Sequence, residues 1–397
     1  MKKYLFAVLL VITLPFALTA CRSGKKTLME SEADPRCLHI GSYAAQNNDT
    51  LYFLLMSDRS RMMYVDLGNA DAGYLCGRPE CSHDTAACNS YLGTEEPSVG
   101  YQAAGLGLGA AGEGIGYVFD DGTDISAAYM KADGSSHELL RTLASVESNS
   151  FPRNGGIPPF FHKGIVFACG QTSEIVDGTW VSENRIMAYL LNTKDEAVTV
   201  FSEKFTHDYG GLLIYPAGDL IWYAVIGGDM DGGEGPMDVH LRVYTWDIDG
   251  RKTETVFDDD IPGMVYEWTV AADGVYFTSA ADDAIYRLDP EEKSFELYRR
   301  FDEGRSGFMT MYLCGEYVIG FELPEAGMQR IRVEDLAGNE IADDTKEQLP
   351  SEFGRAFLGI YNGKVYYRCE SMYGDEESLM EFDLKTLEKK IIWMTKN

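Results

Sequence analysis

The sequence is poor in positive charge. Its 34 Lys and Arg residues stand against 63 Asp and Glu, which leaves a formal net charge of −29, and it has only 6 His. A nucleic-acid partner needs a Lys- and Arg-rich face on the protein, so this balance argues against nucleic-acid binding. It equally disfavours adsorption of the folded surface to anionic lipids. Because 45% of the residues are hydrophobic, the chain can bury a sizeable core and is not a disordered protein.

Long apolar runs and helical patterns are scarce as well. After residue 20, no apolar stretch approaches the roughly 20 residues that a membrane-spanning helix needs. From residue 37 onward, apolar residues alternate with polar ones or form short runs bounded by Gly, Asp and Asn. This pattern is typical of β-strands. No Pro- or Ser-rich linker divides residues 37–397, so we expect a single all-β domain there.

The first 20 residues have the pattern of an export signal. Two lysines precede an uncharged apolar stretch, Leu5–Leu18, and the sequence Leu18-Thr19-Ala20-Cys21 completes the segment. This tetrapeptide resembles the lipobox of bacterial lipoproteins, which implies removal of residues 1–20 and attachment of diacylglycerol to Cys21. The alternative is an ordinary signal peptide cleaved after Ala20, which would leave Cys21 as an unmodified thiol.

A lipidated Cys21 predicts attachment of the protein to a bacterial membrane. Buried acyl chains contribute about 0.8 kcal/mol per CH₂, and two chains suffice for stable anchoring. Residues 22–36 are polar and show no periodicity, so residues 21–36 are predicted to form a lipidated, flexible tether. The expected location is the extracytoplasmic face of the cell membrane or envelope.

One sequence unit recurs along residues 37–397. It consists of a turn with Gly, Asp or Asn, a strand rich in Tyr, Val, Phe and Ile, a polar gap, and a second strand that ends near Asp or Asn. Recurrence at roughly 40–50 residues with four short strands per unit is typical of β-propeller blades. Seven copies predict a propeller of seven four-stranded antiparallel blades, with six or eight blades as alternatives. The copies begin at residues 48–53, 114–119, 163–167, 218–223, 273–277, 315–319 and 362–367.

Most residues of this unit have structural interpretations. Aromatic residues such as Tyr52, Tyr276 and Tyr366 are predicted to pack between blades, with their hydroxyls bonded at the rim. Asp and Asn at the turns are predicted to form the turns rather than a catalytic site. The glycines of residues 105–116 indicate a strand that allows close packing, because no Lys-Ser/Thr follows them as in a phosphate-binding loop.

The longest interval between copies contains a Cys and His insert at residues 76–88. Cys76, Cys81, His83 and Cys88 have the spacing C-x4-C-x-H-x4-C. Three thiolates and one imidazole are a complete tetrahedral donor set for structural zinc, and soft ligands also suit other thiophilic metals. A closed set leaves no open coordination position, so we expect a structural metal that braces the connection between the first two blades.

Two other states of the insert remain open from the sequence. In an exported chain, its three cysteines could form two disulfides together with Cys37. They could also remain reduced thiols without a ligand. The other cysteines each lie in or beside a different predicted strand, which predicts small, buried apolar residues. These are Cys169, Cys314 and Cys369.

Taken together, the lipobox, the repeated strand unit and the Cys-x4-Cys-x-His insert resemble bacterial lipoproteins built on a TolB-like or low-density-lipoprotein-receptor-like β-propeller. The resemblance covers almost the whole chain and implies a fold and a location, since such proteins generally lack an assigned activity. The signatures of better-defined propeller families are missing. Trp246-Asp247 is a lone Trp-Asp pair without the Gly-His series that accompanies it in those families.

A Gly-rich loop offers a second, weaker cation site. Asp229, Asp231 and Glu234 lie among glycines, and oxygen ligands in a flexible loop suit calcium. The full residue order of an EF-hand loop is missing, so the alternative is a solvated acidic loop.

Two functions are compatible with these features. The first is a lipid-anchored, surface-exposed binding or scaffold protein of the cell envelope, whose ligand is an unknown protein, peptide or glycan. Long-range attraction would favour basic partners. The second is an envelope enzyme that acts on a glycan or peptide through carboxylates at the propeller funnel. Propellers host both functions, and we expect binding, because neither a nucleophile elbow nor an H-E-x-x-H motif occurs.

Overall fold

The computed structural model describes residues 44–395 apart from 55–60, 84–86, 93–103, 148–150, 153–156, 178, 194–196, 206–208, 229–238, 280–282, 302–307, 326–327, 344–352 and 371–376. The described residues form strands and turns. No helix able to cross a membrane occurs among them. The predicted signal peptide at residues 1–20, Cys21 and the tether lie outside the described residues, as does the predicted start of the domain at residue 37.

The strands form seven sheets, and each sheet consists of four consecutive antiparallel strands. Blades 1 to 3 contain the first twelve strands. Blade 1 has β1 (Ala44–Asn47), β2 (Thr50–Leu54), β3 (Met62–Asp66) and β4 (Ala72–Tyr74). Blade 2 has β5 (Ala104–Ala111), β6 (Gly114–Asp120), β7 (Asp124–Met130) and β8 (His137–Ser145). Blade 3 has β9 (Phe160–His162), β10 (Ile165–Val176), β11 (Thr179–Leu190) and β12 (Val198–Phe205).

Blades 4 to 7 follow the same order. Blade 4 has β13 (Tyr209–Ala217), β14 (Leu220–Gly228), β15 (Val239–Asp247) and β16 (Lys252–Ile261). Blade 5 has β17 (Val265–Ala271), β18 (Gly274–Ser279), β19 (Ala284–Asp289) and β20 (Ser294–Arg300). Blade 6 has β21 (Phe308–Cys314), β22 (Tyr317–Glu325), β23 (Met328–Asp335) and β24 (Glu340–Asp343). Blade 7 has β25 (Phe353–Tyr361), β26 (Lys364–Glu370), β27 (Glu377–Asp383) and β28 (Lys389–Met394).

The fold is therefore a seven-bladed β-propeller, which confirms the prediction from the sequence repeat. The first strands of neighbouring blades contact one another, as β1 does with β5 and β5 with β9, so the first strands line the centre of the ring. The repeated sequence unit corresponds to the second and third strands of each blade. The first strand precedes it and is harder to recognise, because β5, for example, has the sequence AGLGLGAA.

The glycines of β5 permit the close approach of blade 3. A Cβ atom on Gly109 would clash with the side chain of Phe161, and a Cβ atom on Gly107 would clash with the carbonyl of Pro159. Any larger residue would push the two blades apart. This confirms the prediction of a glycine-containing strand in close packing.

Aromatic residues on the second strands fill the space between blades, as predicted. Tyr52, Tyr276 and Tyr366 are at most 1% exposed. Tyr52 packs with residues of blade 2, and Tyr276 packs with residues of blade 6. The Tyr276 hydroxyl donates to Asp273 at 2.9 Å, and the Tyr366 hydroxyl donates to Glu381 at 3.0 Å. Buried rings with bonded hydroxyls contribute apolar burial without leaving a polar group unpaired.

The aspartates that end the third strands form turns, which confirms their predicted structural role. In five blades, a carboxylate oxygen at this position accepts a hydrogen bond from a backbone amide two to four residues later. Such a bond replaces a backbone partner in the tight turn to the fourth strand. The residues are Asp66, Asp247, Asp289, Asp335 and Asp383.

Candidate metal centre

The Cys and His insert leaves blade 1 directly after β4 and is built from turns. The Cys81 amide donates to the Arg78 carbonyl at 3.1 Å, and the Arg78 guanidinium donates to the Ala87 carbonyl at 2.8 Å. His83 has a φ of 60°, a left-handed conformation that reverses the chain. These turns direct the side chains of the insert toward a common point.

The structure brings all four predicted ligand residues together. The ligand atoms of Cys76, Cys81, His83 and Cys88 all lie within 4.8 Å of one another, and His83 Nδ1 is 3.2 Å from Cys88 Sγ. Zinc–sulfur and zinc–nitrogen bonds of about 2.3 and 2.0 Å place tetrahedral ligands about 3.5–3.8 Å apart. Small adjustments of the ligand atoms are enough to reach this geometry, so the four residues could hold a metal ion. We call them the Cys₃His cluster.

Hydrogen bonds to sulfur affect the pKa values of two of the thiols. Burial raises the pKa of Cys76, but the backbone amides of Arg78 and Asn89 and the neighbouring thiols outweigh it and hold that pKa below its usual value. Burial raises the pKa of Cys88 to about 11, although the Ser90 hydroxyl, 2.9 Å from Sγ, acts in the opposite direction. Amide and hydroxyl donors to sulfur are the outer partners that orient metal-binding thiolates.

The cluster is attached to blade 2 by backbone and side-chain hydrogen bonds. The Gly77 amide donates to the Gly134 carbonyl at 3.1 Å. The Asn89 side chain donates to the carbonyls of Gly134 and Ser135 at 2.9 and 3.1 Å. Gly134 has a φ of 65°, and a Cβ atom there would lie 2.7 Å from the backbone of Leu75. A glycine is thus required where blade 2 meets the insert.

A histidine at the start of β8 in blade 2 also contacts the insert. His137 Nε2 donates to the Asn89 carbonyl at 2.5 Å, and Nδ1 accepts from the Tyr117 hydroxyl at 2.7 Å. Burial lowers the pKa of His137, although the bond to Asn89 partly offsets this effect. A neutral imidazole with one donor and one acceptor nitrogen satisfies both partners.

The insert also contacts blade 1, and Tyr74 of blade 1 in turn contacts blade 7. The Met62 amide donates to the Ser90 carbonyl at 2.8 Å. The Tyr74 ring at the end of β4 lies 5.2 Å from the His83 ring and 6.2 Å from the Trp393 ring, between centroids. Trp393 belongs to β28, so one tyrosine connects the cluster to the last blade.

Of the other cysteines and the calcium candidates predicted from the sequence, the structure describes some and not others. Cys169, Cys314 and Cys369 are at most 2% exposed, which confirms the prediction of buried residues at these positions. Cys37, the partner in the disulfide alternative, lies outside the described residues. The weaker calcium candidates lie outside them as well. These are Asp229, Asp231 and Glu234.

Arg368 and Glu267 are charged strand residues that the sequence pattern did not single out. Arg368 of β26 is 2% exposed, and its guanidinium donates to the Leu54 carbonyl of blade 1. Glu267 lies where the register of β17 against β18 shifts, and burial raises its pKa to about 8. A charged residue beside apolar or aromatic neighbours within a strand was the available signal. The partner of Arg368 is 314 positions away, so the sequence could not indicate it.

Comparisons with known proteins support the fold. No family model matches the chain, and no curated protein matches it in sequence. A structure from a study of two prolyl endopeptidases has a TM-score of 0.54 and 11% identity, over 91% of this chain and 51% of that one. At this identity the likeness shows the fold alone, and the chain spans about half of that protein's length.

Two further structures have lower TM-scores. The acylaminoacyl peptidase of Pyrococcus horikoshii has a TM-score of 0.49 and 10% identity, over 92% of this chain and 54% of that one. The β-propeller domain of the Trilobed protease from Pyrococcus furiosus has a TM-score of 0.48 and 12% identity, over 89% of this chain and 97% of that domain.

Proposed function

We propose that this chain is a lipid-anchored β-propeller of the bacterial cell envelope that acts as a binding or scaffold protein. The Cys₃His cluster is the main support. Within the described part of the chain, it is the one group of three or more His, Cys, Asp or Glu side chains close enough to share a cation. Its four ligands complete a tetrahedral set, and its surroundings attach it to three blades. Such a site stabilises a scaffold and leaves no coordination position for a substrate.

The binding partner is expected to be a basic protein or peptide, or a glycan. A formal net charge of −29 attracts cationic partners over long distances and accelerates their encounter at low salt. The probe is a Lys-rich peptide, with a Glu-substituted peptide of equal length as the control. We expect binding of the Lys-rich peptide that weakens as salt rises. Release of products from peptide or cell-wall glycan substrates would instead establish the enzyme alternative.

The lipid anchor rests on the Leu18-Thr19-Ala20-Cys21 sequence. We expect the full-length chain, expressed in a bacterial host, to sediment with membranes and to carry the added mass of a diacylglycerol group. Cys21→Ser should abolish both properties, while Cys37→Ser should preserve them. Unchanged membrane association and unchanged mature mass in Cys21→Ser would refute the anchor.

Structural zinc is the proposed occupant of the Cys₃His cluster. Its support is the convergence of an imidazole with the three thiols. Disulfide bonds would involve the cysteines alone and would not require His83 beside them. Native and denaturing intact mass, combined with metal analysis on protein purified without chelator, gives the test. We expect one zinc per chain. Release of this zinc should make the thiols of Cys76, Cys81 and Cys88 reactive. A loss of two hydrogens per bridge and no metal would establish disulfides.

A further inference from the structure

The junction between blade 7 and blade 1 closes the ring, and we call it the seam. Blade 1 is formed by β1–β4 and blade 7 by β25–β28, each from consecutive strands. Among the described strands, none from one end of the chain completes the blade at the other end. Strand pairing, which holds each blade together, therefore does not bridge the two blades within the described ring. The seam depends on side-chain contacts instead.

Apolar packing fills the inner part of the seam. Leu51 and Phe53 of blade 1 share a buried cluster with Leu358 and Tyr366 of blade 7. The Arg368 guanidinium adds a buried hydrogen bond to the Leu54 carbonyl. These contacts involve the first and second strands. The outer strands of the two blades, β28 and β4, also touch.

Tyr74 and Trp393 provide the contact between these outer strands. Their rings meet edge to face at 81° with centroids 6.2 Å apart, a favourable aromatic geometry. The Tyr74 ring also contacts the His83 ring, with centroids 5.2 Å apart. The position of Tyr74 therefore depends on the orientation of His83. A metal bound through that imidazole would hold the ring in one orientation, and Tyr74 would be held against Trp393 in turn.

We propose that the metal-bound Cys₃His cluster is a clasp that closes the propeller ring. On one side, Gly77 and Asn89 attach it to blade 2. On the other side, His83 and Tyr74 attach it to β28 of blade 7. Metal binding thus stabilises three successive blades at the junction where the first and last blades of the described ring meet. This inference rests on the proposed metal site and adds that the bound metal stabilises the seam.

Hydrogen exchange, measured by mass spectrometry on the mature protein, tests the clasp. Exchange is compared between zinc-loaded protein and protein treated with chelator and reductant. An aromatic contact is worth about 0.5–1.5 kcal/mol, so metal removal should accelerate exchange in β28, Lys389–Met394, by about two- to tenfold. Exchange in β14, Leu220–Gly228, on the far side of the ring, should not change.

Tyr74 variants separate the clasp from metal binding itself. Tyr74→Leu should still bind one zinc per chain, but exchange in β28 should no longer depend on the metal. Tyr74→Phe keeps the ring and should retain the dependence. Tyr298→Leu, a matched change of an exposed tyrosine on blade 5, should also retain it.

The outcomes distinguish the two proposals. Failure to bind zinc overturns the metal site and the clasp together. One bound zinc with metal-independent exchange of β28 in the unmodified protein overturns the clasp alone. A metal dependence that persists in Tyr74→Leu also overturns it, since another route would then connect the cluster to the seam.

Discussion

Two joints of the same ring share apolar packing but differ in the chain segment that connects their blades. Between blades 4 and 5, only residues 262–264 separate β16 from β17, and the joint is filled by a large apolar cluster that includes Tyr215, Trp268 and Phe277. Between blades 1 and 2, an apolar cluster that includes Tyr52 and Leu108 also fills the joint. There the connection runs from residue 75 to 103, and it adds the Cys₃His cluster and hydrogen bonds to the carbonyls of blade 2.

The difference shows how loop length changes the requirement for stabilisation. A short connection leaves few unpaired backbone groups, so apolar burial is sufficient to hold the blades. A long connection has many backbone amides and carbonyls and a larger conformational entropy to lose. The chain compensates there with polar contacts, a glycine in a left-handed conformation and a site that could bind a metal.

The largest effect is expected at the apolar joint. Trp268 is 6% exposed and packs against Tyr215 and Phe277. Trp268→Ala should reduce the free energy of unfolding by about 3–5 kcal/mol, because it removes an aromatic side chain and leaves a cavity. Urea denaturation measures this change. Trp268→Phe should cost less, and an equal loss in both variants would contradict a packing explanation.

The second-largest effect is expected from zinc binding at the joint between blades 1 and 2, which should raise the free energy of unfolding. At free zinc about 100-fold above its Kd, the folded state should gain about 2.7 kcal/mol, since the unfolded chain lacks the assembled site. Cys88→Ser should lose this gain, and Cys314→Ala, at a buried thiol outside the cluster, should keep it. Trp268→Ala should also keep it, because distant sites contribute independently. A zinc response in Cys88→Ser would argue against the assigned ligand set.

Asn89 should have a smaller effect at the same joint. Its side chain donates two hydrogen bonds to backbone carbonyls of blade 2. Asn89→Ala should lower the free energy of unfolding by about 1–2 kcal/mol, because both carbonyls lose a donor. Asn69→Ala, at an exposed turn of blade 1, is the matched control and should have little effect in urea denaturation. Equal losses in the two variants would refute a specific role of Asn89.

The smallest effect concerns pH and His137. Its pKa is lower in the folded protein than in the unfolded chain because of burial. The unfolded chain therefore binds the proton more readily, and this contribution to stability is present above the unfolded pKa of about 6.5 and declines as pH falls through the folded pKa. We expect the difference in unfolding free energy between the wild type and His137→Gln to shrink below pH 6.5. A difference that stays constant from pH 8 to pH 5 would contradict this expectation.

Much of the fold was predictable because its determinants are local. Each blade repeats turn residues and β-branched or aromatic residues at similar spacing, so seven copies of one unit predicted seven blades. The Asp residues after the third strands bond amides two to four positions away, which is within the reach of sequence patterns. The first strands were harder to recognise, since β5 lacks the aromatic and β-branched residues typical of strands and its glycines are needed for the close approach of blade 3.

The Cys₃His cluster was predictable for a related reason. Its four residues lie within thirteen positions, and residue types alone indicate a common ligand chemistry. Whether the side chains converge was not predictable, because convergence depends on the left-handed turn at His83 and on attachment to Gly134 in another blade. Spacing alone left metal, disulfides and free thiols as alternatives.

By itself, the sequence determined the acidic surface, the all-β class, the repeat of seven units and the ligand types of the insert, because these depend on composition and on neighbours along the chain. The tertiary structure decided which distant residues meet. It brought Arg368 to Leu54 and Tyr74 to both His83 and Trp393. Ring closure is the physical reason, since it joins the two ends of a long chain through contacts that no local pattern encodes.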